Sequence, residues 1–572
     1  MRIARIVPDV TGLDKQFDYL IPDLFGAIGT ELAIGDVVRI ELHGRRIRGW
    51  VVDFPSASDV ASDRLRPLLK RSGAGPSAEL IDLAGWAAHR WVAGRIRPLL
   101  IAASPDTNMS GSFPPIATLA TTSPEAQVAL VRLAPSDDPL PTVVKAIDAG
   151  ASGGQVLVLH PSIAGSTALA NRLARRGYSV ARWPEQWAAA ARGAAQVVVG
   201  TRRAAWARVA ALAGVVILDE HDEALQEERS PTWHARDVLL ERCRRWSVPC
   251  TLVSPVPTVT AVWAARAQSG GAASSSLAGR WPIIDIIDRN DVEPWRRRQL
   301  SSPVIAALRD HSKRVLCVLN TPGRSRLLAC RSCAALIRCI PCGATVAQRG
   351  DDSLHCVRCG AQRPAVCQSC SSTALANVRP GVSRLAEELT AAAARPVLSI
   401  TAETDELPDG DVYVGTEAAL HRVSGVDRVA FLDFDTELLA PRYRAGEQAM
   451  TLLMRAARMV GPRERGGRVL VETRLPDHPV LRAAVLADPA RFISSELGTR
   501  RLLGLPPFAG LAKLTGSSVA EATSQLGATD RVQLAPDGDA LLVRAADWET
   551  LADVLGGLPR STTLRIAIDP PR

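Results

Sequence analysis

QVVVGT (196–201) and GVVILDEHDEA (214–224) decide the architecture. Each is an unbroken run of aliphatic and β-branched residues that ends in polar ones. A strand with one face in water alternates apolar and polar side chains. A continuous apolar run marks a strand covered on both faces, as in a parallel sheet flanked by helices. Functional groups in such sheets gather at the carboxyl ends of the strands, where Thr201 and the cluster Asp219, Glu220, His221 and Asp222 stand. The pattern repeats outward from this pair. QVLVLHP (155–161) and CTLVSP (250–255) complete one set of strands. RVLCVLN (314–320), PVLSIT (396–401), DVYVGT (411–416), RVAFLDFD (428–435) and RVLVET (468–473) make a second. The chain is therefore expected to be α/β with two lobes in series: residues 105–290 as linker and first lobe, 291–475 as the second. QSGGAASSSLAG (268–279) reads as a loop. Residues 1–104 read differently, as short strands in RIARIV, FDYLIP, GDVVRIEL and IRGWVVDF followed by a helical stretch around Glu79 to Val92. This β-rich module ends at the linker SPDTNMSGSFPP, and a last mixed segment fills 476–572.

The second set of strands is interrupted after its first member. Eight of the eleven cysteines fall at 330–370 as four Cys-x-x-Cys pairs: Cys330/Cys333, Cys339/Cys342, Cys356/Cys359 and Cys367/Cys370. Two intervening residues let both thiolates of a pair turn toward one tetrahedral ion at about 2.3 Å. Eight thiolates fill two four-cysteine zinc sites and leave no open position for activating water. Disulfides and a redox pair are the alternatives, and both fit poorly in a long chain that opens MRIARIVPDV without an apolar signal segment. The gaps between successive pairs are five, 13 and seven residues. The 13-residue gap suits a hairpin returning to its own metal, which favours nesting over sequential pairing. Cys339, Cys342, Cys356 and Cys359 are then the inner site, closed around by Cys330, Cys333, Cys367 and Cys370. The zinc insertion is placed at 330–380.

At 572 residues the chain is long enough for three or four domains. Its longest apolar run, Val209 to Leu218, is too short to span a bilayer, so no membrane partner and a cytoplasmic location are expected. A net charge of +9 is compatible with a polyanion but weak for this size. Only five of the 68 basic residues are lysines: Lys15, Lys70, Lys145, Lys313 and Lys513. None follows a glycine, so GxxxxGK[ST], whose lysine reaches the β/γ-phosphates, is absent.

The order of these features resembles the PriA-type replication-restart helicases, the primosomal protein N-prime family, over nearly the whole length. RIARIVPDV…FDYLIP with GDVVRI is similar to that family's N-terminal DNA-binding domain. VVVGTRRAAWA, LDEHDEALQEERSPTWHARDV, the four cysteine pairs, DFDTELLAPRYRAGEQAMTLLMRAA and LLGLPPFAGLAKL follow in the family's order. The resemblance implies two RecA-like helicase lobes, with a two-zinc insertion in the second, preceded by a β-rich DNA-binding domain. It also implies a nested metal pairing, two zinc ions per chain and capture of a nascent 3′ end at a fork. Phe17 and Tyr19 would stack on or wall the terminal base, Asp18 would bond the base or the 3′-hydroxyl, and Arg66 would contact DNA. Phe17 and Tyr19 read equally well as core residues of a strand. Implied partners are forked or branched DNA, other primosome proteins, single-strand-binding protein and the replicative helicase.

Four departures place ATP in doubt. RLAPSDDPLPTVVKAI (132–147) stands at the P-loop, with Asp137 and Asp138 where phosphate should dock. Alignment on His221 and Asp222 puts Leu218 at the Mg²⁺-holding aspartate and Asp219 at the catalytic glutamate. Ser254-Pro255-Val256 replaces the Ser-Ala-Thr coupling motif. RAARMVGPR (455–463) puts Met459 and Pro462 at the ATP-contacting arginines and leaves Arg455, Arg458 and Arg463 as surface or DNA-facing charges. The roles of His221, Trp233 and His234 lapse without nucleotide turnover, and Cys243, Cys250 and Cys317 read as buried thiols. No catalytic residue is assigned and the nucleotide-binding residues are unknown. The expected function is primosome assembly at forked DNA without helicase activity. The alternatives are a 3′–5′ DNA helicase with a rearranged nucleotide site, or a zinc-bearing protein adaptor.

Overall fold

The N-terminal strands nearly close on themselves. In the computed structural model, which describes residues 2–570 apart from 14, 27–31, 112, 115, 117–126, 151–152, 267–276, 291–299, 320–327, 334, 350–352, 357, 378–381, 401–403, 405–406 and 560–562, the first sheet is antiparallel. Its strands are β1 (Ile3–Pro8), β2 (Phe17–Leu20), β3 (Val37–Leu42), β4 (Arg45–Asp53) and β5 (Lys70–Gly73), in the order β2-β1-β4-β3-β5. The chain leading into β5 reaches the far edge: Leu20 N donates to the Arg66 carbonyl and Leu68 N to the Leu20 carbonyl, both at 2.9 Å. Ile6, Val38, Ile40 and Val51 fill the interior. His43 and Gly44, at φ 49° and 71°, form the two-residue loop between β3 and β4, the left-handed pair that suits strand twist. Helices α1 (Ala78–Arg90, capped by the Ser77 hydroxyl) and α2 (Arg97–Ala103) follow.

The first lobe runs β6 (Gln127–Val131), α3 (Leu140–Gly150), β7 (Gln155–Leu159), α4 (Ile163–Arg175), β8 (Val180–Trp183), α5 (Trp187–Ala191), β9 (Val197–Gly200), β10 (Leu212–Leu218), α6 (Ala235–Trp246), β11 (Pro249–Val253) and α7 (Val259–Ala264). Its six strands are parallel in the order β6-β11-β10-β7-β9-β8. The central strands are buried throughout, as their composition requires.

The second lobe is also a six-stranded parallel sheet, β12-β22-β21-β13-β20-β19. It begins with β12 (Ile283–Asp288), α8 (Ser302–Arg309) and β13 (Val315–Val318). The cysteine insertion then contributes β14 (Leu328–Cys330), β15 (Ala347–Arg349), β16 (Ser353–His355), β17 (Gln362–Pro364) and β18 (Leu375–Asn377). The lobe resumes with α9 (Val382–Ala393), β19 (Leu398–Ile400), β20 (Val412–Gly415), α10 (Ala419–Arg422), β21 (Arg428–Phe431), α11 (Asp435–Leu438), α12 (Ala445–Val460), β22 (Arg468–Thr473), α13 (Pro479–Val485) and α14 (Pro489–Leu502). A separate four-stranded antiparallel sheet ends the chain: β23 (Gly510–Thr515), α15 (Val519–Leu526), β24 (Val532–Asp537), β25 (Ala540–Ala545), α16 (Trp548–Gly556) and β26 (Arg565–Ile568).

Two expected boundaries move. Strand β12 pairs with β22, so the second lobe begins before 290 rather than at 291. Helices α13 and α14 bury Val480, Leu481, Phe492 and Ile493 in that lobe's core, so the last domain starts near 503–510 rather than at 476. The 1–104 module is not separate in its packing either. Trp50, Leu83 and Trp91 share one core with Trp206 and Leu239 of the first lobe and with Leu514 and Ile568 of the last domain. The fully buried Arg242 of α6 ties the first two together: it donates to Glu79 of α1 at 3.1 and 3.2 Å and to the carbonyls of Ala205 and Ala207. Most of 268–279 lies outside the described residues. Among those described, no helix is long and apolar enough to cross a membrane.

Candidate metal centres, nucleotide cleft and DNA-end site

The four cysteine pairs meet in two nested clusters: Cys330, Cys333, Cys367 and Cys370 in one, Cys339, Cys342, Cys356 and Cys359 in the other. The hairpin β15–β16 fills the 13-residue gap and returns Cys356 to Cys342, while β14 pairs with β18 to bring the outer knuckles together. Sulfur–sulfur distances across the knuckles are 3.5 and 3.6 Å in the outer cluster, 3.4 and 3.5 Å in the inner. Four thiolates at about 2.3 Å from zinc would be about 3.8 Å apart, so each cluster needs little adjustment to hold one ion. Backbone geometry prepares the sites. The residue after the second cysteine is left-handed at Gly343, Gly360 and Ser371. Each donates its N–H to the carbonyl of the first cysteine of its pair. That turn is what glycine permits cheaply. Two zinc ions per chain fit these clusters, with all four coordination positions filled by protein.

The inner cluster also leans on its surroundings. Thr345 N donates to the Leu439 carbonyl at 2.7 Å, and Arg358, between Cys356 and Cys359, pairs with Glu496 of α14 at 2.8 Å. Arg544 of β25 reaches the Arg358 carbonyl. The insertion is thus clamped to both the second lobe and the last domain.

In the cleft between the lobes, charged side chains pair with one another. The loop after β6 lies at the P-loop position, and Asp137 folds it into a tight turn by accepting Ala134 N at 2.9 Å while pairing with Arg280 at 2.7 Å. Asp138 accepts Leu140 N at the start of α3 and pairs with both terminal nitrogens of Arg172. Helix N-termini in such folds receive phosphate; here a carboxylate holds the place. The hydrogen bonds from Arg172 keep Asp138 below the usual carboxylate range.

Arg458 reaches across from α12 to the first lobe. It grips Asp219 bidentately at 2.7 and 2.8 Å and donates through Nε to the Pro135 carbonyl at 2.8 Å. Burial raises the Asp219 pKa, but Arg458, with His221 and His160, outweighs it and holds the carboxyl at about 2. Arg455 bridges Asp222 and Glu417 at 3.2 Å each, Arg444 donates to Gln226 at 3.0 Å, and Glu447 accepts Val259 N at 2.6 Å. The expectation that Arg455 and Arg458 are surface or DNA-facing charges is therefore corrected in part: both join the lobes, Arg455 partly buried and Arg458 with its side chain still 43% exposed, while Arg463 is exposed. Glu220 is buried and holds the start of α7, accepting Thr258 N at 2.6 Å and Thr258 Oγ1 at 3.0 Å. Between the lobes a cavity of about 40 Å³ remains, bounded by Glu220, His221, Arg236, Arg444 and Glu447 among others. Ligand pockets are typically about 300–1,000 Å³.

The remaining motif residues make contacts within the protein. His221 Nδ1 lies 2.7 Å from Ser254 Oγ, and burial pulls its pKa down to about 4, leaving it neutral. His234 caps α6, and Trp233 stands edge-on to Trp206 at 5.8 Å. Met459 packs against the second lobe's core. Cys243, Cys250 and Cys317 are buried.

At the N-terminal sheet the expected DNA residues divide. Tyr19 is 4% exposed and donates its hydroxyl to the Glu41 carbonyl at 2.9 Å, which makes it a core residue rather than a stacking wall. Phe17 is half-buried against the same core. Asp18 accepts from Arg5 at 2.9 and 3.3 Å and from Ser58 Oγ at 2.7 Å. The hydrogen bond from Arg5 keeps its pKa below the usual carboxylate range. Oδ1, with one partner, retains an acceptor site. Arg66 is exposed beside β2 through its carbonyl bond to Leu20, and among the described residues its side chain makes no ion pair. Phe17, Asp18 and Arg66 thus share one edge.

Comparison with known proteins agrees with this layout. The family model of the PriA 3′DNA-binding domain (3′BD) matches residues 5–103. Replication restart protein PriA of Rickettsia conorii is 25% identical, covering 99% of this chain and 95% of that protein. The Bacillus subtilis protein of the same name is 27% identical over 64% of this chain and 50% of its own. The probable replication restart protein PriA of Mycobacterium tuberculosis is 28% identical, covering 89% of this chain and 85% of that protein.

Proposed function

We propose that this chain is a PriA-type replication-restart protein, like the relatives it matches, and that it binds forked or branched DNA, engages a 3′ end at the Phe17–Asp18–Arg66 edge, and helps recruit the replicative helicase without unwinding duplex itself. Other primosome proteins and single-strand-binding protein are its partners in this reading, which places it in the cytoplasm. The observation that carries it is Arg458, which spans from α12 to Asp219 and the Pro135 carbonyl while Asp138 caps α3. A triphosphate entering that cleft would meet two carboxylates and would have to break the lobe-to-lobe pairs. Charge repulsion at such short range costs several kcal/mol at about ε 20.

The test uses one metal-replete preparation carrying two zincs per chain. Fork binding at physiological salt, a preference for a free 3′-hydroxyl over a 3′-phosphate, and no fork-stimulated ATP hydrolysis are expected. Fork-stimulated hydrolysis that disappears in D219N or E220Q would establish the helicase reading instead. Negligible fork affinity would leave a zinc-bearing adaptor.

A further inference from the structure

Three cations stand abreast on the N-terminal sheet. Arg39 on β3 is directly opposite Arg48 on β4 and directly opposite Lys70 on β5. Directly opposed residues project from the same face, and neighbouring strands are about 4.8 Å apart. Like charges in that relation repel and destabilise a sheet, so a solvated surface normally alternates sign. Here Arg39 and Lys70 are exposed and, among the described residues, make no ion pair; Arg48 has Asp9 at 3.6 Å and lies 5.6 Å from the Trp50 ring centre. Arg46 and Arg45 continue the charge toward the hairpin tip, with Glu41 opposite Arg46 as the acid between them. The segment carrying Lys70 also carries Arg66, four residues earlier, at the edge beside Phe17 and Asp18.

We propose that this row, Arg48–Arg39–Lys70, is a docking surface for the phosphate backbone of duplex DNA, separate from the site that holds the 3′ end. Charge complementarity selects a polyanion. A duplex is favoured over a single strand because the row presents no exposed aromatic ring: Trp50 is fully buried, whereas single-strand surfaces stack bases on aromatic side chains. The inference rests on the fork-binding reading and extends it from the end of the strand to the double-stranded arm behind it. Repulsion within the row is relieved when phosphates lie along it.

The full-length protein is titrated with a 20-base-pair duplex whose 3′ ends carry phosphate, so that the end site contributes nothing, between 50 and 200 mM salt. Each phosphate contact contributes about −0.9 to the slope of log affinity against log salt. R39A/K70A is expected to reduce the slope by about two and to lower affinity at 50 mM salt about tenfold or more. Its unfolding midpoint is expected to equal or slightly exceed that of the unmodified chain. R39E/K70E is expected to abolish binding of the blocked duplex. Equal slopes and affinities for all three proteins overturn the inference, as does absence of blocked-duplex binding by the unmodified chain. Failure of the end-site reading looks different: free and blocked 3′ ends would bind alike, while R39A/K70A would still weaken both.

Discussion

The zinc insertion and the cleft between the two lobes differ in what their polar side chains are arranged to hold. In the insertion every ligand is in place, and Sγ atoms lie 3.4–3.6 Å apart across each knuckle. In the cleft the loop after β6 has neither lysine nor glycine, and Arg458, Asp219 and Asp138 are bonded to protein groups. The difference is one of how each site depends on its parts. A tetracysteine site is its own fold: remove one thiolate and the local structure goes with it. A nucleotide site is assembled from loops of two lobes whose cores survive without it. Its charges need only find other partners, and an arginine facing an aspartate across the cleft supplies one.

That contrast can be broken at its stronger side first. Stripping zinc with a chelator, or substituting Cys339→Ser and Cys356→Ser together, is expected to unfold the insertion, since structural zinc contributes on the order of 10 kcal/mol to such modules. Metal analysis should fall from two zincs to one for the double variant, and limited proteolysis should open sites within 330–377. The two lobes should keep their cooperative unfolding. A smaller loss, about 3–5 kcal/mol, is expected for Arg242→Met, which leaves Glu79 buried without its partner. Urea unfolding would register it as a lower midpoint with an unchanged slope.

The cleft should respond least. Asp219→Asn removes a half-exposed pair and is expected to cost about 1 kcal/mol or less at neutral pH. Its pH signature sharpens the assignment. Asp219 ordinarily titrates at 3.8 and is held at about 2 in the fold. Its contribution is therefore fully present above pH 3.8 and disappears as pH falls through about 2. Thermal midpoints of the unmodified chain and the Asn variant should converge over that window. A difference that persists unchanged below pH 2 would disconnect Arg458 from Asp219.

Much of this was legible because it is local. Cysteine spacing encodes each knuckle, and the 13-residue gap encodes the hairpin that nests one metal within the other. Central strands such as Val197–Gly200 announce themselves by unbroken apolar runs. The three strands missed in the two lobes, Gln127–Val131, Val180–Trp183 and Ile283–Asp288, all lie at sheet edges, where one side of the ladder is free and apolar runs are short or mixed. Missing the last also displaced the lobe boundary. The cleft contacts were out of reach for another reason. Arg458 and Asp219 are 239 residues apart, and nothing in either neighbourhood names the other. Tyr19 shows the limit at single-residue scale: a tyrosine on a short strand looks the same whether its ring faces a base or, as here, the interior.

Arg358 gives the inner metal a reach beyond its own module. From that knuckle the charges run without a break: Arg358 to Glu496, Glu496 to Arg500, Arg500 to Glu447, and Glu447 to the backbone of Val259 in the first lobe. The line behaves as a keystone course, in which each stone is held by the next and none seats until both abutments stand. A chain still gathering its domains would have Glu447 and Glu496 competing for an arginine that has no fixed seat. Loading the inner site would hold the knuckle that carries Arg358, and so fix the first link of that line.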